Sequence, residues 1–111
     1  AVATAYTKGL AESGLILPHV PEWADPAWHL YVVRTSDRDA LQDRMTEAGI
    51  GTLIHYPIPP HMQQAYAGQR IAPEALPTAR QLADDVLSLP MGPNLLMTEV
   101  NSIISEMCNA V

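Results

Sequence analysis

Three prolines within four positions, Pro57, Pro59 and Pro60, limit what the middle of this 111-residue chain can become. Proline lacks a backbone N–H and its ring locks φ, so neither a helix interior nor a central strand can run through such a segment. The prolines stand in "GIGTLIHYPIPPHMQQAY", Gly49 to Tyr66. A β-like apolar run leads in, and two histidines and two tyrosines surround the stiff part. Proline restricts the unfolded chain, so a loop built on it loses less freedom when held in one shape. The rings of His55, Tyr56, His61 and Tyr66 combine apolar bodies with polar tips, which suits sugar or phosphate contacts and suits a protein interface equally well. The plainer alternative has the tyrosines packed under the loop and the histidines in solvent. The residues alone leave both readings open.

The flanking sequence alternates between helical and strand-like patterns. Val2, Ala5, Tyr6, Gly9 and Leu10 recur at helical spacing and predict a helix from about Val2 to Ser13, stopped by Gly14. Residues 15–27 contain Pro18, Pro21 and Pro26 and read as an extended connector. "WHLYVVR", Trp28 to Arg34, predicts a buried strand, with His29 and Tyr31 on one face as core groups. Ser36 is the expected N-cap of a second helix that carries Ala40, Leu41, Met45 and Ala48 and ends at Gly49. "TLIHY" predicts a second strand, followed by a short helix over 61–67 and a loop over 68–76. Pro77 opens another helix with Ala79, Leu82, Ala83 and Val86 inward. "VLSLP" predicts a brief third strand. Thr98 caps a last helix whose stripe is Val100, Ile103, Ile104, Met107, Cys108 and Val111. The order predicts one α/β domain over 1–111, with a sheet of about three strands covered by helices on one side. The strand–helix–strand unit over 28–56 should cross right-handed, with the third strand between or beside the other two.

Composition removes several classes of function. A net charge of -6 offers no basic face for nucleic acid or an anionic membrane surface. No apolar run approaches the roughly 18 residues of a membrane span. The single cysteine, Cys108, cannot form a disulfide within the chain and fits a reducing, cytoplasmic setting. Its place in the apolar stripe predicts a packed thiol. His55 and His61 lack cysteine ligands or close histidine spacing, and Glu74 is the only carboxylate near them, so no metal site is expected. There is no nucleophile elbow and no glycine-rich phosphate loop. Trp23, in a proline-rich stretch, and Trp28 are candidate interface anchors. The chain starts at Ala1 with helical periodicity already running, which reads as a piece of something longer.

Three stretches carry a resemblance to a known family: "HLYVVR", then "RDALQDRMTEAGIGTLIHYPIPPHMQQAY", then "LPTARQLADDVLSLPMGPNLLMTEVNSII". They resemble the C-terminal small domain of the DegT/DnrJ/EryC1/StrS aminotransferases, pyridoxal-phosphate enzymes of fold type I that aminate keto-sugars attached to nucleotides. The "HYPIPPH" form looks most like the branch acting on dTDP-linked keto-deoxysugars. The resemblance implies that the catalytic lysine, the aspartate partner of the pyridine ring and most phosphate contacts lie in a large domain outside this match. It implies no cofactor held by this chain alone, and no catalytic residue within it. Lys8, the only lysine, reads as a surface residue. Carried over position by position, His55, Tyr56 and His61 become expected contacts to a nucleotide-linked sugar, with Tyr66 behind them, in an orienting role. Ser88 to Pro90 reads as scaffold. Two functions follow as expectations: a C-terminal domain of a sugar aminotransferase that is inactive alone, or a stand-alone nucleotide-sugar-binding or interaction module that completes a separate large-domain chain. Apolar surface left uncovered predicts a homo-oligomer, a dimer through the first helix or the Trp23–Trp28 region.

Overall fold

The computed structural model describes residues 1–111 and forms four α-helices, two β-strands and three short 3-10 turns. Strand β1 (Tyr31–Arg34) pairs antiparallel with β2 (Val86–Leu89), Tyr31 opposite Leu89 and Arg34 opposite Val86. Single antiparallel bridges extend this pair on both edges, Ile16 with Arg34 and Leu53 with Ser88. β2 therefore lies between β1 and Leu53, and the third predicted strand has taken the central place. Both of its neighbours oppose β2, so they run parallel to each other.

The predicted strand "TLIHY" shrinks to the single Leu53 pair, and the sheet has two strands where three were expected. The ladder explains why. One step from the Leu53–Ser88 pair, Gly51 falls opposite Pro90, which has no N–H to give. In the other direction His55 turns its ring onto Ser88, and Pro57 follows. The predicted strand Trp28–Arg34 also begins later, at Tyr31 opposite Leu89. His29 consequently lies outside the strand and is exposed, not a core group.

Alternation along the strands sorts the two faces. Tyr31, Val33, Leu87 and Leu89 point into the core. There they meet Ala3, Tyr6 and Leu10 of α1 (Val2–Gly9) and its cap, Leu41 and Met45 of α2 (Arg38–Glu47), and Val100, Ile103 and Met107 of α4 (Met97–Ala110). Each large apolar side chain fully buried here contributes about 1.5–3 kcal/mol. Val86 and Ser88 point the other way and are buried as well. That second face carries the proline segment, with α3 (Pro77–Asp85) leading into β2.

Helix ends depart from the sequence reading in small ways. α1 closes at Gly9; the predicted last turn is irregular, with the Ser13 hydroxyl donating to the Leu10 carbonyl at 2.7 Å. Gly14, at φ +83, follows those irregular turns and does not end α1, which closes five residues earlier at Gly9, whereas Gly49 at φ +76 follows α2 directly after its cap Ala48. Ser36 is not the cap of α2: Asp37 takes that place, and its N–H donates to the Thr35 hydroxyl at 3.3 Å. Thr98 lies inside the first turn of α4, where the Leu96 N–H donates to the Glu99 carboxylate at 2.8 Å. Cys108 is exposed, because it sits one residue past Met107 and so about 100° around the helix. Its thiol comes no nearer than 3.7 Å to the Gly9 carbonyl oxygen.

Two tyrosines tie α1 to the sheet. The Tyr6 and Tyr31 rings lie 5.1 Å apart between centroids, and Trp28 lies tilted against Tyr31 at 5.4 Å. The Tyr6 hydroxyl donates to the Pro90 carbonyl at 2.8 Å, and the Tyr31 hydroxyl shares a 2.9 Å hydrogen bond with Thr7. Burial, with a smaller contribution from Tyr31, pushes the Tyr6 hydroxyl up to about 12. Burial also raises Tyr31, against the opposing hydrogen bond from Thr7. Both tyrosines hold their protons more tightly folded than unfolded. The stability they contribute is complete below the unfolded value near 10 and is lost as pH rises toward 12. Tyr6→Phe is expected to cost about 1 kcal/mol at neutral pH through the lost hydrogen bond. It should also flatten the alkaline fall of the melting temperature. Parallel alkaline profiles for the two proteins would contradict this account.

Candidate functional site

Proline positions determine the local shape of the 57–76 stretch. Pro60 and Pro73 each open a 3-10 turn, where a missing N–H costs nothing. The turns Pro60–Met62, Gln64–Gln69 and Pro73–Ala75 replace the predicted helix over 61–67 and part of the predicted loop over 68–76. They are held by bonds such as Met62 N–H to Pro59 O at 2.9 Å and Tyr66 N–H to Gln63 O at 3.0 Å. The Gln63 side chain donates back to the Ile58 carbonyl at 3.1 Å and closes the bend.

A cleft of about 240 Å³ forms between this bend and α3, lined in part by His55, Tyr56, Ile58, Gln63, Leu82 and Val86. A smaller recess of about 130 Å³ lies beside it, bordered by Leu53, His55, Ser88 and Met91. His55 lines both. Its Nδ1 stands 2.9 Å from the Ser88 hydroxyl, and its ring meets Tyr56 edge-on at 5.4 Å. The His55–Tyr56 peptide bond is cis. Tyr56 is 71% exposed, so its ring is open to a ligand.

The four sequence-predicted residues thus separate into two pairs. His55 and Tyr56 share the cleft. His61 is buried beneath the bend, where its Nε2–H donates to the Pro73 carbonyl at 3.1 Å. Its Nδ1 has no protein partner. Tyr66 is half exposed and lies outside the cleft lining. Glu74 pairs loosely with Arg80 at 3.5 Å. No group of three or more His, Cys, Asp and Glu converges in the chain. The largest depression, about 640 Å³, lies between the start of α1, Trp28–His29 and the 91–97 stretch, and holds none of the four.

Two residues at this site escaped the sequence reading. From the sequence Ser88 reads as scaffold; the signal available is a hydroxyl within a four-residue apolar strand that is buried throughout. Arg38 is the second. It is 7% exposed, and its guanidinium Nη1 donates to the carbonyls of Ala83 at 3.0 Å and Val86 at 3.1 Å, while Nε pairs with Asp39. The Ala83 carbonyl is one of the last of α3, left unpaired by the helix at the negative end of its dipole, and the Val86 carbonyl opens β2. Arg34 reinforces the same junction through Asp85 at 3.3 Å. Nothing in the spacing of "SDRDAL" marks Arg38 as buried, since its partners lie some 45 residues away in sequence. Arg38→Met keeps the apolar stem but orphans both carbonyls, and is expected to cost about 2–4 kcal/mol in chemical denaturation. A loss under about 0.5 kcal/mol, the range of an ordinary surface substitution, would show that the α3 wall does not depend on it.

A small sheet is backed by helices on one face and carries an aromatic, proline-stiffened cleft on the other. The sequence matches the model of the DegT/DnrJ/EryC1/StrS aminotransferase family over residues 1–108, and the chain belongs to that family. It is 47% identical over 94 residues to the erythromycin biosynthesis sensory transduction protein EryC1 of Saccharopolyspora erythraea, covering 85% of this chain and 26% of that protein. It is 47% identical over 96 residues to the dTDP-3-amino-3,4,6-trideoxy-alpha-D-glucose transaminase of Streptomyces venezuelae, covering 86% of this chain and 25% of that protein. Among solved structures, S. venezuelae DesV in complex with a ketimine intermediate superposes with a TM-score of 0.94 at 41% identity, over 97% of this chain and 29% of DesV. The α/β fold is therefore that of the sugar aminotransferases. The chain spans about a quarter of the length of the curated relatives it matches. No helix is long and apolar enough to cross a membrane.

Proposed function

We propose that these residues form the C-terminal part of a nucleotide-sugar aminotransferase and supply one wall of its substrate cleft. The observation that carries this is the pairing of His55 and Tyr56 at a 240 Å³ cleft, on a fold shared at TM-score 0.94 with S. venezuelae DesV. In this role Tyr56 offers a ring face and His55 a hydrogen bond to the sugar or its phosphates. His61 and Tyr66 set the bend from behind and beside it. None of the four transfers a proton in the reaction; they orient.

Pyridoxal phosphate, the cofactor of the family, supplies the amino-group chemistry when bound. It needs a lysine to anchor it. The only lysine here, Lys8, stands exposed on α1 and lines neither depression at His55. The donor set of these residues does not fit the cofactor by itself. On this reading the cofactor belongs to another part of the family enzyme, and the chain alone does not transaminate. The lone thiol and acidic charge accord with a cytoplasmic setting.

Titration with dTDP, followed by amide chemical shifts, tests the cleft. The expected shifts gather at His55, Tyr56, Gln63 and the facing side of α3. Shifts confined to the 640 Å³ depression, or none at millimolar ligand, would sink the reading.

The same proposal includes a homo-oligomer. The apolar face of α1 is taken up by the core, which leaves the connector as the contact. Trp23 is 87% exposed there, with Ile16 and Val20 also open. Light scattering at high protein concentration is expected to give a dimer mass that Trp23→Asp reduces to a monomer. A monomer throughout would remove this part.

A further inference from the structure

Ser88 has an unusual set of partners for a residue that is 4% exposed. Its backbone groups are both spent on Leu53, the N–H donating to the Leu53 carbonyl at 2.7 Å and the carbonyl accepting from the Leu53 N–H at 3.2 Å. Its hydroxyl has one partner, His55 Nδ1 at 2.9 Å. Each direction of that bond has a different consequence. If Nδ1 carried the proton and donated, the hydroxyl hydrogen of Ser88 would be buried with no acceptor, at a cost of about 1–3 kcal/mol. If the hydroxyl donates, both atoms are satisfied, and the proton of the neutral ring must sit on Nε2. That Nε2 has no protein partner and is not among the buried polar atoms, so it reaches solvent from a ring that borders both depressions.

We infer that Ser88 is a positioning residue: it locks His55 in the Nε2–H tautomer and so turns the ring into a hydrogen-bond donor toward the ligand. A donor of this kind selects for an oxygen that can only accept. In a nucleotide sugar that chemistry belongs to the diphosphate oxygens and to a keto oxygen, whereas a hydroxyl would be met equally well by either tautomer. The inference about the ligand rests on the substrate reading above; the tautomer does not.

Long-range 1H–15N correlations of the histidine rings test the tautomer in the whole chain without ligand, at about pH 8.5, two units above an ordinary imidazole. The wild type is expected to show His55 as Nε2–H, with its Nδ1 resonance displaced by an accepted hydrogen bond. Ser88→Ala should return Nδ1 to the position of an unbonded nitrogen and admit both tautomers. Ser88→Thr, which keeps a hydroxyl, should restore the wild-type pattern. An Nδ1–H ring in the wild type, or an Nδ1 resonance unmoved in Ser88→Ala, would overturn the proposal. A dTDP titration supplies the second arm, since it presents diphosphate oxygens without a keto-sugar. Affinity should fall several-fold in Ser88→Ala and hold in Ser88→Thr if the phosphate is the acceptor. Equal affinity in all three proteins overturns the phosphate role. If the wild type does not bind dTDP at all, the substrate reading fails while the tautomer is still decided by the ring spectra.

Discussion

Two backbone hydrogen bonds between Leu53 and Ser88 join the proline segment to the sheet, and the geometry of the candidate site follows from that single pair. The pair sets the height at which the chain leaves the sheet. It brings His55, two residues on, over the Ser88 side chain, and it leaves Tyr56 at the edge with its ring in solvent. Pro90 and Pro57 stop the ladder from growing in either direction. A longer strand would have alternated His55 and Tyr56 onto opposite faces. The truncated one leaves both rings bordering the same cleft.

β2 is the element on which both halves of the molecule depend. Its four residues are all buried, Leu87 and Leu89 beneath α1, α2 and α4, Val86 and Ser88 beneath the proline segment. A strand buried on both faces reads as a continuous apolar run and loses the period-2 signal that marks a half-exposed strand. Ser88 interrupts that run, and a polar group in such a place needs a partner. Arg38 and Arg34 pin the entry to β2 from the neighbouring helix and strand, so that α3 ends at a defined height against the cleft.

Much of this fold was legible in the chain. Helix periodicity located α1, α2, α3 and α4 to within a few residues, and Gly49 marks a real left-handed stop. Strand ends were less legible. Strand length depends on what the partner strand can offer, and the proline that limits the ladder beside Leu53 lies far along the chain at position 90. Propensity sees neither. At the cleft, the residue types are readable because rings on a stiff segment are conspicuous, and His55 and Tyr56 both line it. Their separation from His61 and Tyr66 is not, because it depends on 3-10 turns that bury one ring against Pro73 and swing the other past the cleft. Cys108 shows the limit of a stripe argument: one residue at the margin of a helical face lies about 100° from its neighbour, enough to carry a thiol from core to surface.

The contrast between His55 and His61 shows how one residue type does two jobs six positions apart. Both have one ring nitrogen engaged by the protein, and in both the partner dictates the tautomer. The Pro73 carbonyl can only accept, so His61 must donate to it through Nε2 and serves to hold the bend. The Ser88 hydroxyl can do either, and only its own burial selects donation. The first arrangement spends the histidine's proton inside the protein. The second keeps that proton on the outward nitrogen. In the proposed role, a wall that orients a substrate without reacting with it needs such a group: fixed in direction by the fold, with its hydrogen-bonding capacity still free at the surface of the cleft.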